Sequence, residues 1–510
     1  MNAAILAALS AVAIVLAGVL VLAARAHLLP SAFLVTFDTT ASRAKNGWAA
    51  FWARDPFIAA QRKRSGPAFA TYDIPGGDRL AVHFAEGDFR QHTLVLGATG
   101  TGKSSMLEAL AVHRLRVGAP FALIDLHGDL FERVAAWARA RGTTVTTIDF
   151  TKPDALPSFN PLVPLSGIDP GRQVDLIVAT LKRLYASEEA KSWAWGVKVE
   201  ELMRHALLAI IEARIRGVVF SLADLPQFFL IAEVRKGIVA HASPASRVYF
   251  TKRYGAREEM YVSAVLNKIE PFLGSIAVQR FLGRSDSTVD LFGAIDRGET
   301  ILVNLAKGYM PSADIMGRLL MNVFQTATLR RERLRPDARR PYSILLDEAH
   351  LLAGAGSGLE DFLVAARKYR VFVTLAAQGL SLFPPSFRPH LLGNTGRQFF
   401  FRMPYSEARM LAKDIFEPQG TIYREQTRPN EAISEPLLDA AEELAWRVGD
   451  LASLPVGVAY WMQRDRPYKA RRIKILAPLK QPIAPIRRSP SKSDTSAPNP
   501  ATAGSIAVRE

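Results

Sequence analysis

Residues 92–104 read HTLVLGATGTGKS, and this stretch joins an apolar strand to a glycine-rich loop and the start of a helix. The loop, GATGTGKS at 97–104, has a glycine, lysine or serine at each position that a phosphate-binding loop specifies. In such loops the glycines let backbone N–H groups turn inward and surround phosphate oxygens at a helix N-terminus. The stretch therefore predicts a nucleotide-binding α/β fold.

Individual residues of the loop have distinct expected roles. Lys103 is expected to reach the terminal phosphates of ATP, and the hydroxyl of Ser104 is expected to bind Mg²⁺. Most other contacts come from the backbone, so we expect ATP to be bound along the whole loop and the first residue beyond it. The predicted ATP-binding residues are Gly97, Ala98, Thr99, Gly100, Thr101, Gly102, Lys103, Ser104 and Ser105.

A second motif, SILLDEAH at 343–350, supplies the acidic half of the site. Its apolar strand places Asp347 at the carboxyl edge of the sheet, where the carboxylate can hold Mg²⁺ through water. Glu348 is then positioned as the general base for an attacking water molecule. A base for water indicates hydrolysis rather than transfer of phosphate to a small acceptor, which favours a motor over a kinase.

Two further residues complete the expected chemistry. Gln378 follows the apolar strand VFVTLAA, so its amide should reach the same sheet edge and either sense the γ-phosphate or position water. A ring motor also needs an arginine from the neighbouring subunit, because a planar cation stabilises charge on the transferring phosphoryl group. Arg367 is the first candidate. The alternates are Arg397, Arg402 and Arg90.

The spacing between the two motifs predicts an inserted domain. Lys103 and Asp347 lie 244 residues apart, more than a minimal phosphate-loop core needs between them. Apolar residues three and four apart at 197–215 and 261–273 predict helices in this interval. Strand patterns return at 300–305 and 342–346, so the second half is expected to resume the sheet.

The amino terminus predicts a membrane anchor. Residues 3–24 carry no charge, and a helix of about 22 such residues is long enough to cross a bilayer. A cleaved signal peptide is the alternative, but Met1 and Asn2 provide no basic region before the apolar run. Basic residues from Arg25 onward favour a cytosolic location for the rest of the chain. The expected location is therefore the inner (cytoplasmic) membrane, with a single span and a cytosolic motor.

The net charge of the chain indicates which classes of partner it binds. The 510-residue chain has 64 basic and 48 acidic side chains, a formal charge of +16, which favours a polyanionic partner such as nucleic acid or an anionic membrane surface. It has no cysteine, which excludes disulfides and cysteine-ligated zinc. Prolines, serines and basic residues after 478 predict a disordered tail.

The ordered set of motifs resembles the HerA/FtsK superfamily of P-loop ATPases, and within it the TraG/TraD-type coupling proteins of conjugation and type IV secretion. The resemblance covers roughly residues 90–405. It rests on HTLVLGATGTGKS at 92–104, ALIDLHGDL at 122–130, NPL at 160–162, LLDEAH at 345–350, ARKYRVFVTLAAQ at 366–378 and GNTGRQFFFR at 393–402.

The resemblance implies a hexameric DNA translocase with an all-α domain inserted in the nucleotide-binding domain. It also implies that Arg367, eleven residues before Gln378, is the finger that acts on the neighbouring subunit. Asp125 and Asp129 match a family signature. One predicted span departs from the two spans common in such proteins.

We therefore predict a RecA-like P-loop sheet with an inserted all-α domain and one N-terminal transmembrane helix. The expected parts are an anchor (1–27), a basic juxtamembrane stalk (28–85), two nucleotide-binding halves (86–165 and 286–477), an all-α insertion (166–285) and a tail (478–510). The expected function is ATP-driven DNA translocation with Mg²⁺, with a relaxase and secretion-channel proteins as further partners. Two alternatives remain open, an ATPase for protein secretion or secretion-machine assembly and a membrane-tethered ATP-binding switch.

Overall fold

The computed structural model of the protein describes residues 55–74, 78–165, 167–184, 196–305, 313–353, 358–417, 439–464 and 470–476. Its strands are β1 (Ala70–Asp73), β2 (Arg79–Val82), β3 (His92–Leu96), β4 (Phe121–Asp125), β5 (Thr146–Asp149), β6 (Ile301–Asn304), β7 (Tyr342–Leu346), β8 (Val371–Ala377), β9 (Thr395–Phe401), β10 (Val458–Gln463) and β11 (Arg471–Ile475). All eleven belong to one sheet.

Helices precede and connect these strands. They are α1 (Pro56–Arg62), α2 (Lys103–Val117), α3 (Asp129–Ala140), α4 (Pro170–Leu184), α5 (Val197–Ile215), α6 (Leu225–Leu230), α7 (Ala232–Ala240), α8 (Pro244–Val248), α9 (Ala256–Glu259), α10 (Val262–Leu266), α11 (Glu270–Leu273), α12 (Ile276–Leu282), α13 (Leu291–Arg297), α14 (Ala313–Leu329), α15 (Leu359–Ala365), α16 (Phe387–Asn394), α17 (Tyr405–Ile415) and α18 (Ala440–Ser453). Short 3₁₀ turns at Ala349–Leu351 and Ala366–Tyr369 lie beside β7 and β8.

The sheet has the strand order β2-β1-β11-β10-β9-β3-β8-β7-β4-β6-β5. The seven strands from β9 to β5 pair in parallel, whereas β10, β11, β1 and β2 extend the sheet by antiparallel pairing. Parallel pairing requires crossover connections, and here helices supply them. The prediction of a parallel RecA-like α/β sheet is therefore confirmed.

Both faces of the sheet are covered, which explains why its central strands read as uninterrupted apolar runs. Successive residues point to opposite faces, and Leu94 and Leu96 join one apolar cluster while Val95 joins the other. The helices α2 and α3 cover the face of Val95, with Met106 and Leu130 in that cluster. The opposite cluster contains the helical stretch between β5 and β6.

Between β5 and β6, the described residues form the ten helices α4 to α13 and no strand. Their apolar side chains share one continuous cluster with residues of the central strands, including Met203 of α5 and Ile344 of β7. The helical pattern that the sequence indicates therefore contributes to the apolar core on one face of the sheet. The limits 166–285 for a separate insertion domain stay a prediction.

The amino-terminal part of the sheet differs from the expectation of a basic stalk over 28–85. Residues 70–82 form β1 and β2, which extend the sheet beyond β11. The side chains of Ala70 and Tyr72 are buried and those between and after them are not, so this hairpin has one core-facing side. Neighbouring prolines, glycines and charged residues make this short alternation of buried and exposed positions hard to recognise in the sequence.

The predicted membrane span and tail lie outside the described residues. Within the part of the chain that the structure describes, no helix has both the length and the apolar character needed to cross a bilayer.

Aromatic rings join the antiparallel strands to the parallel sheet. Trp461 of β10 stacks on Phe399 of β9 with ring centroids 5.9 Å apart, and Phe57 of α1 meets the same indole edge-on at 5.6 Å. Phe84 contacts Trp461 as well, at 5.5 Å. These contacts attach α1 and the antiparallel strands to the strand next to β3.

We predict that Trp461→Ala lowers the free energy of unfolding by about 3–5 kcal/mol, because the indole fills a packed site. Trp461 is only 2% exposed, whereas Trp446 on α18 is 48% exposed and provides a matched control. Trp446→Ala should cost less than about 1 kcal/mol. Urea unfolding of both variants measures the difference, and equal losses would contradict the packing described.

Candidate nucleotide-binding site

The loop between β3 and α2 has the backbone of a phosphate cradle. Gly100 and Gly102 adopt φ angles of +74° and +115°, which side chains with a Cβ rarely tolerate. At Gly97 a Cβ would lie 2.5 Å from Cβ of Phe401, so this position admits no side chain. These three glycines explain why the sequence motif needs that residue where it does.

Neighbouring strands hold the cradle in place. The Gly97 N–H donates to the carbonyl of Ala377 at 3.2 Å, and the Ala98 N–H donates to the carbonyl of Arg402 at 2.8 Å. Lys103 Nζ donates to the Ala98 carbonyl at 3.1 Å, so the ammonium lies across the loop that it closes. Burial lowers the pKa of Lys103, and the charges of Glu348 and Asp347 partly oppose this shift.

The acidic strand end meets the first turn of α2. Ser104 Oγ lies 3.4 Å from Asp347 Oδ2, although 243 residues separate the two in the chain. Burial is the largest cause that raises the pKa of Asp347 to about 6, followed by the charges of Asp125 and Glu348. A hydroxyl and a carboxylate at this distance form an oxygen donor pair that suits Mg²⁺, and the buried negative charge provides a reason to bind it.

Glu348 and Gln378 meet at the same edge. Gln378 Nε2 donates to Glu348 Oε1 at 3.1 Å, which connects the ends of β7 and β8. Glu348 has a φ of +49°, an unusual backbone for a non-glycine residue and one that often marks a functional site. His350 Nδ1 lies 3.4 Å from Glu348 Oε2, so the histidine has a local electrostatic partner.

The sequence did not indicate one residue that holds this edge together. Both carboxylate oxygens of Glu407 on α17 accept from the Ser381 N–H, and Oε2 also accepts from the Leu380 N–H at 2.8 Å. At Gly379 a Cβ would lie 2.8 Å from the Glu407 carboxylate carbon. Glu407 therefore fixes the loop that follows Gln378, and the glycine after Gln378 was the only signal of it.

Asp125 also has a local role in the structure. Its carboxylate is buried and accepts from the N–H groups of His127 and Phe131, so it organises the turn between β4 and α3. Asp129 is the first residue of α3, where a negative charge favours the helix. The signature residues thus hold a turn next to Asp347, whose pKa Asp125 helps to raise.

Arg367 lies at the opposite edge of the sheet. It precedes β8, whereas Gln378 follows the strand, and the seven residues of β8 alone span about 23 Å at about 3.3 Å per residue. Its side chain is exposed. Arg367 is therefore too far from the loop of its own chain to contact a nucleotide there. Burial and the charge of Arg367 lower the pKa of nearby His92 to about 4.

The alternates for the finger occupy three different positions. Arg90 is exposed before β3, at the same edge as Arg367. Arg402 is exposed, and its carbonyl accepts from the Ala98 N–H, so its backbone lies next to the phosphate loop of its own chain. Arg397 is only 1% exposed and its guanidinium lies over the rings of Phe84 and Phe89. The alternate Arg397 is therefore wrong, because a side chain packed in the core cannot reach a neighbouring subunit.

Comparison with protein-family models finds no match for the chain. No curated protein matches its sequence. Several solved structures do match. The bacterial conjugative coupling protein TrwB, in a trigonal form with sulphate, has a TM-score of 0.55 and 16% identity over 84% of this chain and 94% of that chain. The plasmid coupling protein TrwB in complex with ADP and Mg²⁺ has a TM-score of 0.53 at the same identity and coverage.

VirB4 of Thermoanaerobacter pseudethanolicus is similar to nearly the same degree. Its TM-score is 0.52 and its identity 16%, over 82% of this chain and 98% of that chain. The fold of this protein is thus the fold of TrwB and VirB4. The resemblance that the motifs predict is confirmed at the level of the fold.

The raised pKa of Asp347 predicts that a substitution of this residue changes the free energy of unfolding in a pH-dependent way. A carboxyl whose pKa is about 6 in the folded chain but near its usual value when unfolded destabilises the fold once it ionises. In the absence of metal, Asp347→Asn should therefore stabilise the protein by roughly 3 kcal/mol near neutral pH. The gain should fall to about half near pH 5 and vanish below about pH 4.

Urea unfolding in a chelating buffer, repeated at several pH values, measures this gain. Asp361→Asn, a change at an exposed carboxylate in the first turn of α15, is the control and should show no such pH dependence. A gain for Asp347→Asn that does not change between about pH 5 and 7.5 would show that the carboxyl titrates normally.

Proposed function

We propose that the protein is a Mg²⁺-dependent ATPase and the motor subunit of an oligomeric, membrane-anchored DNA translocase. The observation that carries this proposal is the convergence of three strand ends on one edge. There Ser104 meets Asp347, and Gln378 meets Glu348, beside the loop closed by Lys103. The similar structures support the nucleotide, because one of them is TrwB in complex with ADP and Mg²⁺.

The residues of the site have separate roles in the transfer of a phosphoryl group to water. The backbone N–H groups of residues 97–105 and the Lys103 ammonium bind and orient the phosphates. Ser104 and Asp347 would hold Mg²⁺, which supplies positive charge to the developing oxyanions when bound. Glu348 takes the proton of the attacking water. The 3.1 Å hydrogen bond from Gln378 Nε2 keeps the Glu348 carboxylate next to the loop.

Hydrolysis needs a second subunit in this proposal. Of the candidate arginines, Arg402 follows β9 with its backbone beside the loop, while Arg367 lies at the far end of β8. In a ring, the amino edge of one sheet faces the carboxyl edge of the next, so Arg367 would serve the neighbouring site. This arrangement makes turnover dependent on assembly, which we propose is a hexamer as in the family that the motifs resemble.

DNA is the proposed cargo. The formal charge of +16 suits contact with phosphates without readout of bases, so binding is expected to be independent of sequence and sensitive to salt. The proposed anchor at residues 3–24 places the motor at the cytosolic face of the inner membrane. The similarity to TrwB supports this cargo, because TrwB is a plasmid coupling protein.

We predict that Glu348→Gln retains ATP affinity and lowers turnover about 10²-fold to 10⁴-fold, because an amide cannot accept the proton of water. Phosphate release measures turnover, and a fluorescent ATP analogue measures binding. Glu233→Gln, at an exposed position of α7, is the matched control and should leave both unchanged. Equal loss of binding and turnover would contradict the role of Glu348 as the base.

DNA should stimulate the ATPase of the full-length protein in lipid nanodiscs. Turnover is measured with single-stranded and with double-stranded DNA over a series of salt concentrations. The apparent affinity for DNA should fall steeply as salt rises, because basic side chains release counterions on binding phosphates. Turnover that is indifferent to both forms of DNA in low salt would contradict the DNA-pump proposal.

The protein-cargo alternative remains because the similarity to VirB4 nearly equals the similarity to TrwB, so the fold does not select the cargo. Neutral substitutions of the basic residues that line the central pore of the proposed ring would leave protein transport intact. The same substitutions would slow a DNA pump. The switch alternative requires binding without turnover. It predicts full biological function for Glu348→Gln, a result that the geometry around Glu348 opposes.

A further inference from the structure

The exposed Arg367 sits on a short, unusually constrained turn. The 3₁₀ turn Ala366–Tyr369 joins α15 to β8, and Arg370 at its end has a φ of +56°. Such a backbone costs energy at a non-glycine residue and persists only where its surroundings hold it. The contacts that hold this turn come from another part of the chain.

Arg331 supplies the first of these contacts. Its guanidinium is 0% exposed and donates from Nη1 to the carbonyl of Tyr369 at 2.8 Å. The other terminal nitrogen donates to the carbonyl of Arg340 at 2.7 Å. One planar fork therefore connects the turn of Arg367 to the segment that enters β7.

Arg339 supplies the second contact. It is 6% exposed and donates from Nη1 to the carbonyl of Lys368 at 3.0 Å, one residue after Arg367. Its Nε donates to the carbonyls of Arg331 and Leu334. In return, Arg370 Nη1 donates to the Arg339 carbonyl at 3.1 Å, so the turn and its support bind each other in both directions.

If Arg331 and Arg339 only stabilised the fold, burial of their guanidinium groups would cost more free energy than burial of apolar side chains. Burial of a guanidinium costs several kcal/mol unless hydrogen bonds compensate, and here two such groups lie close together near further cations. Burial is the main cause that lowers the pKa of Arg331; the charge and hydrogen bond of Asp296 oppose this shift, and the charges of Arg339 and Arg370 add to it. Apolar side chains of similar size would fill the space at lower cost, but they could not fix two carbonyls at defined positions.

The support also connects to the helical stretch. Arg331 Nε donates to Asp296 Oδ1 at 3.0 Å, and Asp296 lies on α13, the last helix before β6. The position of α13 is therefore transmitted through one guanidinium to the carbonyl of Tyr369. A change in the helical stretch has a direct, hydrogen-bonded route to the turn.

We propose that Arg331 and Arg339 are positioning residues that hold the turn of Arg367 in the geometry required at the neighbouring subunit's site. The proposal rests on the role of Arg367 as a trans-acting cation under the proposed function. A rigid turn matters because a finger displaced by about 1 Å loses about 10²-fold in rate. Neither positioning residue touches the nucleotide, since both act through the backbone of the turn.

The test separates the subunit that gives the finger from the subunit that receives it. Two full-length chains with different tags are co-expressed and purified through both tags in nanodiscs. The donor carries Lys103→Ala, so its own site is inactive, and the acceptor carries Arg367→Ala, so it gives no finger. Turnover in the mixed assembly therefore comes from acceptor sites that receive Arg367 of a donor neighbour.

Arg331→Lys keeps the charge but loses the planar fork. Placed in the donor, it should lower kcat of the mixed assembly at least tenfold with little change in KM for ATP. Placed in the acceptor, it should change kcat less than about twofold. Arg214→Lys in the donor is the matched control, because Arg214 also donates to two backbone carbonyls, those of Phe220 and Ser285, far from the turn.

Equal losses in donor and acceptor, or no loss in the donor, would overturn the proposal. Arg339→Lys repeats the test at the second contact. If both variants fail to assemble with the acceptor, the two side chains support the fold rather than the finger, and the proposal is also overturned. A different result would show that the proposed function itself is wrong. In that case, the Arg367→Ala protein alone would hydrolyse ATP at the rate of the unmodified protein.

Discussion

The parallel hydrogen bonding of β3, β8 and β7 is the constraint on which the rest of the structure depends. Because the three strands run in the same direction, their carboxyl ends deliver the phosphate loop, Gln378 and the pair Asp347 and Glu348 to one edge. No single contact among these side chains is strong. The sheet, buried on both faces, supplies the rigidity that places them within hydrogen-bond distance.

The same constraint gives the sheet a second edge, to which the proposed function assigns a role. Gln378 and the turn of Arg367 lie at opposite ends of one buried strand, so under that proposal β8 would connect the γ-phosphate sensor of one site to the finger for the next. A buried strand transmits displacement rather than absorbing it, since packed interiors deform little. Around a ring, this direct connection would let the nucleotide state of one subunit bias its neighbour. Glu407 supports one end of β8, and Arg331 and Arg339 support the other.

Sequence patterns were informative where chemistry is local. The loop around Lys103 and the strand end at Asp347 depend on neighbours in sequence, and the structure brings both together as expected. The supports were not predictable, because a carboxylate such as Glu407 or a guanidinium such as Arg331 binds backbone groups that carry no side-chain signature. The hairpin at 70–82 was missed because short edge strands among glycines and prolines resemble a linker. The prediction for Arg397 was wrong because a basic side chain between Gly396 and Gln398 is expected to be exposed, whereas aromatic rings cover it.

The central claim is that one edge of each sheet binds ATP and the opposite edge of its neighbour completes the site. A cryo-electron microscopy reconstruction of the full-length protein with a non-hydrolysable ATP analogue and Mg²⁺ tests it most directly. The quantity to measure is the distance from the Arg367 guanidinium to each γ-phosphate. The account predicts about 3 Å to the neighbouring γ-phosphate and roughly 20 Å or more to its own. An assembled ring in which Arg367 faces no nucleotide would contradict it.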